Sequence, residues 1–211
     1  LDDFSTNGAG KYDTDSNQVI VKEGDRIEYN YILKRQTYSG NISTNVNLDR
    51  WNVTGSIFTS YNESFRDGKY RHYLYADSEG KSDTFSSWNF GLKGRVEYKI
   101  DGKNFLVYNG AYFSLAPTLN EIFANPRLNN AITPYIENQL INSNDLSFNH
   151  RGQVLKLRLS GYYNNISNST EISRYFAEGI ATYNADTNSI TSKDVFVAEI
   201  LSNVEKEFIG S

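Results

Sequence analysis

Residues 88–100 read WNFGLKGRVEYKI, and this stretch decides the fold. Aromatic and aliphatic side chains alternate in it with polar and charged ones: Trp88, Phe90, Leu92, Val96, Tyr98 and Ile100 share one parity, and Asn89, Lys93, Arg95, Glu97 and Lys99 share the other. Because successive side chains of a strand point to opposite faces, this period of two predicts a strand with one apolar and one charged face. About 9–11 such residues, when tilted, cross a bilayer.

A second stretch repeats the pattern at 154–163, which reads VLKLRLSGYY. Here Leu155, Leu157 and Leu159 oppose Lys156 and Arg158. Two such strands favour a wall between lipid and water, although the charged side could also be the solvated face of an ordinary sheet whose apolar side is a core. The side chains expected to face a water-filled lumen are Lys93, Arg95, Glu97, Lys156 and Arg158.

The composition excludes several classes of protein. The chain has 211 residues, no run of about 18 apolar residues that would form a transmembrane helix, and no Cys for disulfides, thiol catalysis or Cys-ligated zinc. A net charge of -4 and a pI near 5.3 give no footprint for nucleic acid. Mean hydropathy of -0.57 with 14% aromatic residues suits strands that are half in water and carry aromatic girdles.

The sequence contains no constellation of catalytic or metal-binding residues. His72 and His150 are far apart, and there is no nucleophile elbow, phosphate-binding loop or closely paired set of carboxylates. We therefore expect no enzymatic activity, no metal and no cofactor. The chain also lacks Met and runs from Leu1 to Ser211, which predicts an interior fragment of a longer protein.

The spacing of turn signals predicts seven to nine antiparallel strands joined alternately by short and long connections. Tight turns are expected around Asp49, at 101–102 and at 150–152, and long loops over 66–84, 116–135 and 166–194. This alternation is typical of outer-membrane barrels, with short periplasmic turns and long extracellular loops. On that assignment Trp51, Tyr98 and Phe148 lie near the inner girdle, and Tyr61, Trp88 and Tyr163 near the outer one.

One short pattern occurs twice. Residues 12–19 (YDTDSNQV) and 183–190 (YNADTNSI) share Tyr-x-x-Asp-Ser/Thr-Asn-x-Val/Ile. Asp and Asn nucleate turns because their side chains bond nearby backbone groups. Both segments are therefore expected to be tips of protruding hairpins.

Residues 113–127, FSLAPTLNEIFANPR, resemble a strand and loop of TonB-dependent outer-membrane receptors. The resemblance extends to 29–31, 64–70, 137–138, 145–148, 157–163 and 170–171, and so covers most of the chain. It implies an all-β fold in which 1–211 is part of an antiparallel transmembrane barrel of about 22 strands. A plug domain that relays energy from TonB, and the remaining strands, would lie outside this chain.

The same resemblance implies uptake of a scarce nutrient across a bacterial outer membrane, with outer-membrane lipid, TonB and the nutrient as partners. A surface lipoprotein over the outer mouth is a further partner that the family leaves open. Rings and planar cations in outer loops suit sugars or chelates, although the tyrosines could equally pack the loops together. The expected ligand-contacting residues are Tyr70, Arg71, Tyr73, Tyr75, Asn125, Arg127 and Asn129.

Two other classes of protein stay open at this point. The chain could be a complete eight-stranded barrel acting as an anchor or adhesin, although it ends at Ser211 where such barrels usually have an aromatic residue. It could also be a soluble all-β binding module of a secreted protein. That alternative predicts that the aromatic strand ends are buried between two sheets.

Overall fold

The computed structural model describes residues 29–71, 75–184 and 189–211, which form one antiparallel sheet of eight strands. The sheet order is β1-β2-β4-β5-β6-β7-β8, with β3 paired to the outer end of β2. Within these residues β1 and β8 are the edges, so the sheet is open and the predicted all-β antiparallel fold is confirmed. The strands are β1 Tyr31–Asn47, β2 Trp51–Gly68, β3 Gly80–Lys81, β4 Phe85–Lys99, β5 Asn104–Leu115, β6 Gln139–Arg151, β7 Lys156–Asn184 and β8 Ser189–Gly210.

Three tight turns join β1 to β2, β4 to β5 and β6 to β7, as the turn signals predict. In the first, the Leu48 amide donates to the Trp51 carbonyl at 2.8 Å. In the second, both Oδ atoms of Asp101 accept hydrogen bonds, Oδ1 from the Lys103 and Asn104 amides and Oδ2 from the Asn104 side chain. In the third, the Gly152 amide donates to the Leu155 carbonyl at 2.9 Å.

Two of the predicted long loops are wrong in extent. β2 continues to Gly68 and pairs with β3, so residues 66–84 are partly strand. β7 and β8 pair from Tyr162↔Gly210 to Asn184↔Ser189, so residues 166–194 form a long hairpin. The reason is that a ladder needs only backbone groups, whereas the prediction relied on apolar alternation that these segments lack.

The pairing of Tyr183 with Ile190 and of Asn184 with Ser189 confirms a hairpin at 183–190, whose turn residues 185–188 lie outside the described part of the chain. The matching segment at 12–19 lies outside the described residues. Beyond Ser167, the last residue that pairs with β6, β7 pairs only with β8. Register shifts between Ile166 and Glu171, together with a positive φ of 58° at Asn168, mark the base of this projecting hairpin.

Strand ends are staggered across the sheet. One row of partners runs from Trp51 to Tyr98, Leu106 and Phe148. Trp51 is the first residue of β2, whereas Phe148 lies three residues before the end of β6 at Arg151. From each strand to the next, the turn end is therefore displaced by about one residue along the strand direction. This displacement corresponds to a strand tilt of about 35°.

The connection between β5 and β6, residues 116–138, folds back over the polar face of the sheet; we call it the inner loop. It contains α1 (Leu119–Ile122), which begins with a capping box formed by Thr118 and Glu121. α1 lies against both β1 and β7, so the sheet and the hairpin base wrap around the loop. Two side chains of the inner loop, Ile122 and Phe123, are fully buried. Within the described residues, no helix is both long enough and apolar enough to cross a membrane.

Candidate functional site: the two faces of the sheet

One face of the sheet is apolar and exposed. Ile42, Ile57 and Leu92 are neighbours in one row across β1, β2 and β4, and they are 80%, 69% and 55% exposed. Nothing in the described part of the chain covers them. The exposed apolar side chains that share this face by register are Ile32, Tyr38, Ile42, Val46, Trp51, Val53, Ile57, Trp88, Phe90, Leu92, Leu106, Tyr108, Tyr112, Leu146, Leu157, Leu159, Tyr163 and Ile209.

Two aromatic pairs lie on this apolar face. Near the tight turns, the rings of Trp51 and Tyr98 are 4.5 Å apart between centroids. Near the opposite end, the rings of Tyr61 and Trp88 are 4.9 Å apart. Both are directly opposed residues of β2 and β4, and cross-strand aromatic pairs of this kind stabilise a sheet. On β5, Leu106 is exposed on this face and Val107 is buried on the opposite one.

The opposite face carries a chain of charged and amide groups that crosses three strand boundaries. Arg95 Nη2 donates to Glu97 Oε2 at 2.8 Å, and Arg95 Nη1 donates to Asn109 Oδ1 at 3.4 Å. Asn109 Nδ2 in turn donates to Asp145 Oδ1 at 2.8 Å, and Arg158 lies 3.7 Å from the same oxygen. Three of the residues expected to face a lumen therefore join one network on a single face.

The other two residues of that set, Lys93 and Lys156, share the same face by register. Lys93 Nζ lies 5.4 Å from the ring centroids of both Phe58 and Phe113. These two rings meet at 6.1 Å over Gly91, which separates them in the row. Phe58, an exception to the alternation of β2, is thus explained: it packs across a glycine on the polar face.

An open groove of about 260 Å³ lies on this face and is lined by residues of β2, β4, β5 and β6. Hydroxyl, amide, ammonium, guanidinium and carboxylate groups all reach it, so it can accept either donors or acceptors from a solute. Its lining residues include Thr54, Ser56, Lys93, Arg95, Asn109 and Asp145.

At the far end of the same face, Arg66 fastens the inner loop to the sheet. Its side chain is 1% exposed and donates to the carbonyl oxygens of Pro126 at 2.7 Å and Ser78 at 2.6 Å, and to Asn130 Oδ1 at 2.5 Å. Its guanidinium also lies 5.2 Å from the ring centroid of Tyr31. One buried cation thus joins β1, the β2–β3 connection and the inner loop.

Two further polar contacts hold the inner loop. Arg35 donates to the Pro117 carbonyl and to Ser64 Oγ, and Asn138 Nδ2 donates to the Trp88 carbonyl at 2.6 Å. No motif or pattern in the sequence indicates Arg35, Arg66 or Asn130 as site residues. Extending the alternation of β2 through Asn62, Ser64 and Arg66 would have placed Arg66 on the polar face.

The residues expected to contact a ligand are divided between several environments. Arg127 is exposed and stacks 4.8 Å from the ring centroid of Tyr29, and Asn129 Oδ1 accepts from the Ala131 amide at 3.1 Å. The Asn125 carbonyl accepts from the Leu128 and Asn129 amides, closing a turn within the inner loop.

The tyrosine-rich segment lies beside the inner loop. The carbonyl oxygens of Tyr70 and Tyr75 both accept from Ser78, through its hydroxyl and its amide respectively, and Arg71 is exposed. Tyr73 lies outside the described residues. Asn130 Nδ2 donates to the Asp77 carbonyl, so the two connections that carry the expected ligand contacts meet.

No protein-family model, curated protein or solved structure matches this chain. Within the described ranges, no group of three or more His, Asp or Glu residues is placed to hold a metal ion.

Proposed function

We propose that this chain forms part of the wall of a TonB-dependent outer-membrane receptor that imports a scarce nutrient such as a siderophore, glycan or peptide. One observation carries the proposal: an exposed face that is mainly apolar from β1 to β5, and includes Leu146, Leu157 and Leu159 on β6 and β7, lies opposite a polar, charged face. Proteins in water rarely leave a large contiguous apolar patch uncovered, whereas the outside of a membrane barrel requires one. In this interpretation the apolar face contacts lipid and the polar face lines the lumen.

The aromatic pairs support the lipid contact by their spacing. Trp51 and Tyr61 belong to different pairs and are separated along β2 by about 33 Å, or by about 25 Å along the membrane normal for a strand tilted by 35–45°. An outward apolar band about 25 Å tall between two aromatic girdles is the usual pattern of outer-membrane barrels. The pairs therefore lie where the two interfaces are expected.

The connections support the same orientation. The tight turns all lie at one end of the sheet, while the inner loop and the long β7–β8 hairpin lie at the other. Short periplasmic turns and long extracellular connections are typical of these barrels. We infer that Asp49, Asp101 and Gly152 face the periplasm, and that the inner loop narrows the extracellular mouth.

The transport mechanism is carried by the resemblance to TonB-dependent receptors. In that mechanism the outer connections capture the nutrient, the polar face contacts a plug domain, and TonB moves the plug to open a path. The wall itself performs no chemistry. Mass spectrometry of the intact protein from isolated outer membranes tests this part, because it requires a much larger polypeptide with an N-terminal plug.

The lipid contact is tested by spin labels at single cysteines, for which the chain offers a background without native Cys. We expect a label at Leu92→Cys, on the apolar face, to collide with dissolved oxygen in preference to a water-soluble nickel chelate. A label at Lys93→Cys, one residue further and on the polar face, should show the opposite preference. The measurement is power-saturation EPR of the intact protein in native membranes.

The adjacent position serves as the matched control, because both labels share one strand and one depth. Equal accessibility of both labels to the nickel chelate would contradict the proposal and would favour a soluble all-β protein. Exclusion of both reagents from Leu92→Cys would mean that protein, not lipid, covers the apolar face.

A further inference from the structure

Positive charge is concentrated at the tight-turn end of the polar face. The register places six cations and only two carboxylates there, although the whole chain has a net charge of -4. We call the six cations the cationic wall: Lys93, Arg95, Lys99, Arg151, Lys156 and Arg158.

The two carboxylates of this region are the less exposed members. The side chain of Glu97 is 15% exposed and that of Asp145 is 26% exposed, whereas their partners Arg95 and Arg158 are 46% and 62% exposed. The acids therefore lie lower in the surface and the cations project above them. A solute approaching this face meets mainly guanidinium and ammonium groups.

Several of these cations have no acid beside them. Among the described residues, no ion pair involves Lys93, Lys99 or Lys156, and the guanidinium of Arg151 lies 4.7 Å from the ring centroid of Phe105. Surfaces dominated by one sign of charge raise the local concentration of counter-ions and speed their association. Here the counter-ion would be an anion.

The groove described above lies at the edge of the cationic wall and contains two of its members. Lys93 and Arg95 are two residues apart on β4, so their backbone positions are about 7 Å apart on one face. Thr54 and Ser56 add hydroxyl donors to the same groove, and the carboxylate that lines it, Asp145, already accepts from Asn109 and lies 3.7 Å from Arg158. Two cations at this spacing, together with neutral donors, suit a solute with more than one acidic group.

We propose that this groove binds small solutes that carry two or more carboxylate or phosphate groups, and that the remaining cations attract them to it. Combined with the proposed function, on which this last step rests, the wall favours an anionic cargo. The binding step itself requires only that the groove stays open to solutes beside the plug. Solute binding is therefore tested separately from the lipid contact, which is measured with spin labels on both faces of the sheet.

The test measures binding of citrate and of inorganic tripolyphosphate to the intact protein in a non-ionic detergent, by isothermal titration calorimetry at low ionic strength. We expect saturable binding that weakens as sodium chloride is added, because salt screens exposed charges. Lys93→Gln should weaken binding by roughly tenfold or more, as expected for loss of one charge-assisted hydrogen bond. Lys93→Arg should keep most of the affinity.

Lys34→Gln is the control, since it removes a cation from the other face and the opposite end of the sheet, where Lys34 lies 3.7 Å from Asp67. The affinity of Lys34→Gln should stay within about twofold of the wild-type affinity. The loss of affinity expected for Lys93→Gln is far larger. The proposal is overturned if the wild type binds neither probe, if Lys93→Gln binds as well as the wild type, or if Lys34→Gln loses as much. Unchanged thermal unfolding of each variant shows that the fold is kept.

Discussion

At the scale of single residues, Gly91 shows how a missing side chain organises the polar face. A Cβ there would lie 2.5 Å from Cβ of Phe113 and still closer to the ring of Phe58. The glycine lets both rings close over the backbone and support Lys93. Its role depends on available space and not on an unusual backbone conformation.

We predict that Gly91→Ala destabilises the protein by about 1–3 kcal/mol, the usual cost of overpacking a filled site. Gly94→Ala, on the same strand, is the control, because a Cβ at Gly94 would have no other atom within 4 Å. The free energy of unfolding, measured in urea, checks the pair. Equal stability of the two variants would contradict the packing role of Gly91.

Arg66 is the second decisive residue, because it is the donor to two buried carbonyl oxygens, those of Pro126 and Ser78, and to the part-buried Oδ1 of Asn130. We predict that Arg66→Gln costs about 2–4 kcal/mol, since lost hydrogen bonds to a charged donor leave buried acceptors unsatisfied. Trypsin should also cleave faster after Arg127 as the inner loop loosens. Arg71→Gln, which removes an exposed cation nearby, should change neither measurement; an unchanged cleavage rate in Arg66→Gln would show that other contacts hold the loop.

At the scale of elements, the tight turn between β4 and β5 depends on one carboxylate. The pKa of Asp101 is lowered by hydrogen bonds from the Asn104 side chain and from the Lys103 and Asn104 amides, and to a smaller extent by His150. A lowered pKa in the folded state means that the ionised form stabilises the fold above the ordinary pKa of Asp. This stabilisation is lost as the pH falls through the lowered value.

We therefore predict that Asp101→Asn is less stable than the wild type at neutral pH and that the gap closes in acid. The reason is that Asn can accept the amide hydrogen bonds but carries no charge to strengthen them. Urea unfolding of both proteins over a pH series measures the difference in their free energies of unfolding. Other titrating groups contribute equally to both proteins, so their effects cancel in this difference. A gap that is independent of pH would show that only the shape of the side chain matters.

Much of the sheet could be predicted from the sequence, and the reason is local. Alternation in β2, β4 and β7 and turn signals at Asp49 and Asp101 depend on residues a few positions apart. The same alternation placed Lys93, Arg95 and Glu97 on one face.

The candidate site beyond that face could not be predicted, because its contacts join distant residues. Arg66 and Asn130 meet although 64 positions separate them, and nothing near Pro126 indicates that its carbonyl faces a buried guanidinium. The turn of the β7–β8 hairpin was predicted from its Asp and Asn residues, but the length of its strands was not, because residues 166–194 show no regular apolar alternation. Its ladder is set by pairing alone.

At the scale of the whole molecule, the environment of the apolar face decides the function. We predict that Ile57→Arg destabilises the protein by about 2–4 kcal/mol in lipid, the cost of a cation near the centre of a barrel's outer surface. In water, the same change at so exposed a position would cost less than about 0.5 kcal/mol.

Ser43→Arg is the control: Ser43 is exposed on the polar face of β1, next to Ile42, which pairs with Ile57, and the change should be tolerated. The measurement is reversible unfolding of the intact protein in lipid vesicles with increasing urea. Equal, small effects at both positions would argue against lipid on the apolar face.

The β7–β8 hairpin gives the molecule a lever. Its arm beyond Ser167 measures about 55 Å at the rise of a β-strand, and in the backbone pairing of the described residues it joins the rest of the sheet only at its base. At that base Asn168 Nδ2 contacts Glu137 Oε2 of the inner loop at 3.4 Å. A force applied at the tip therefore acts as a torque about this fulcrum, and the first contact it loads is the one that joins the hairpin to the inner loop.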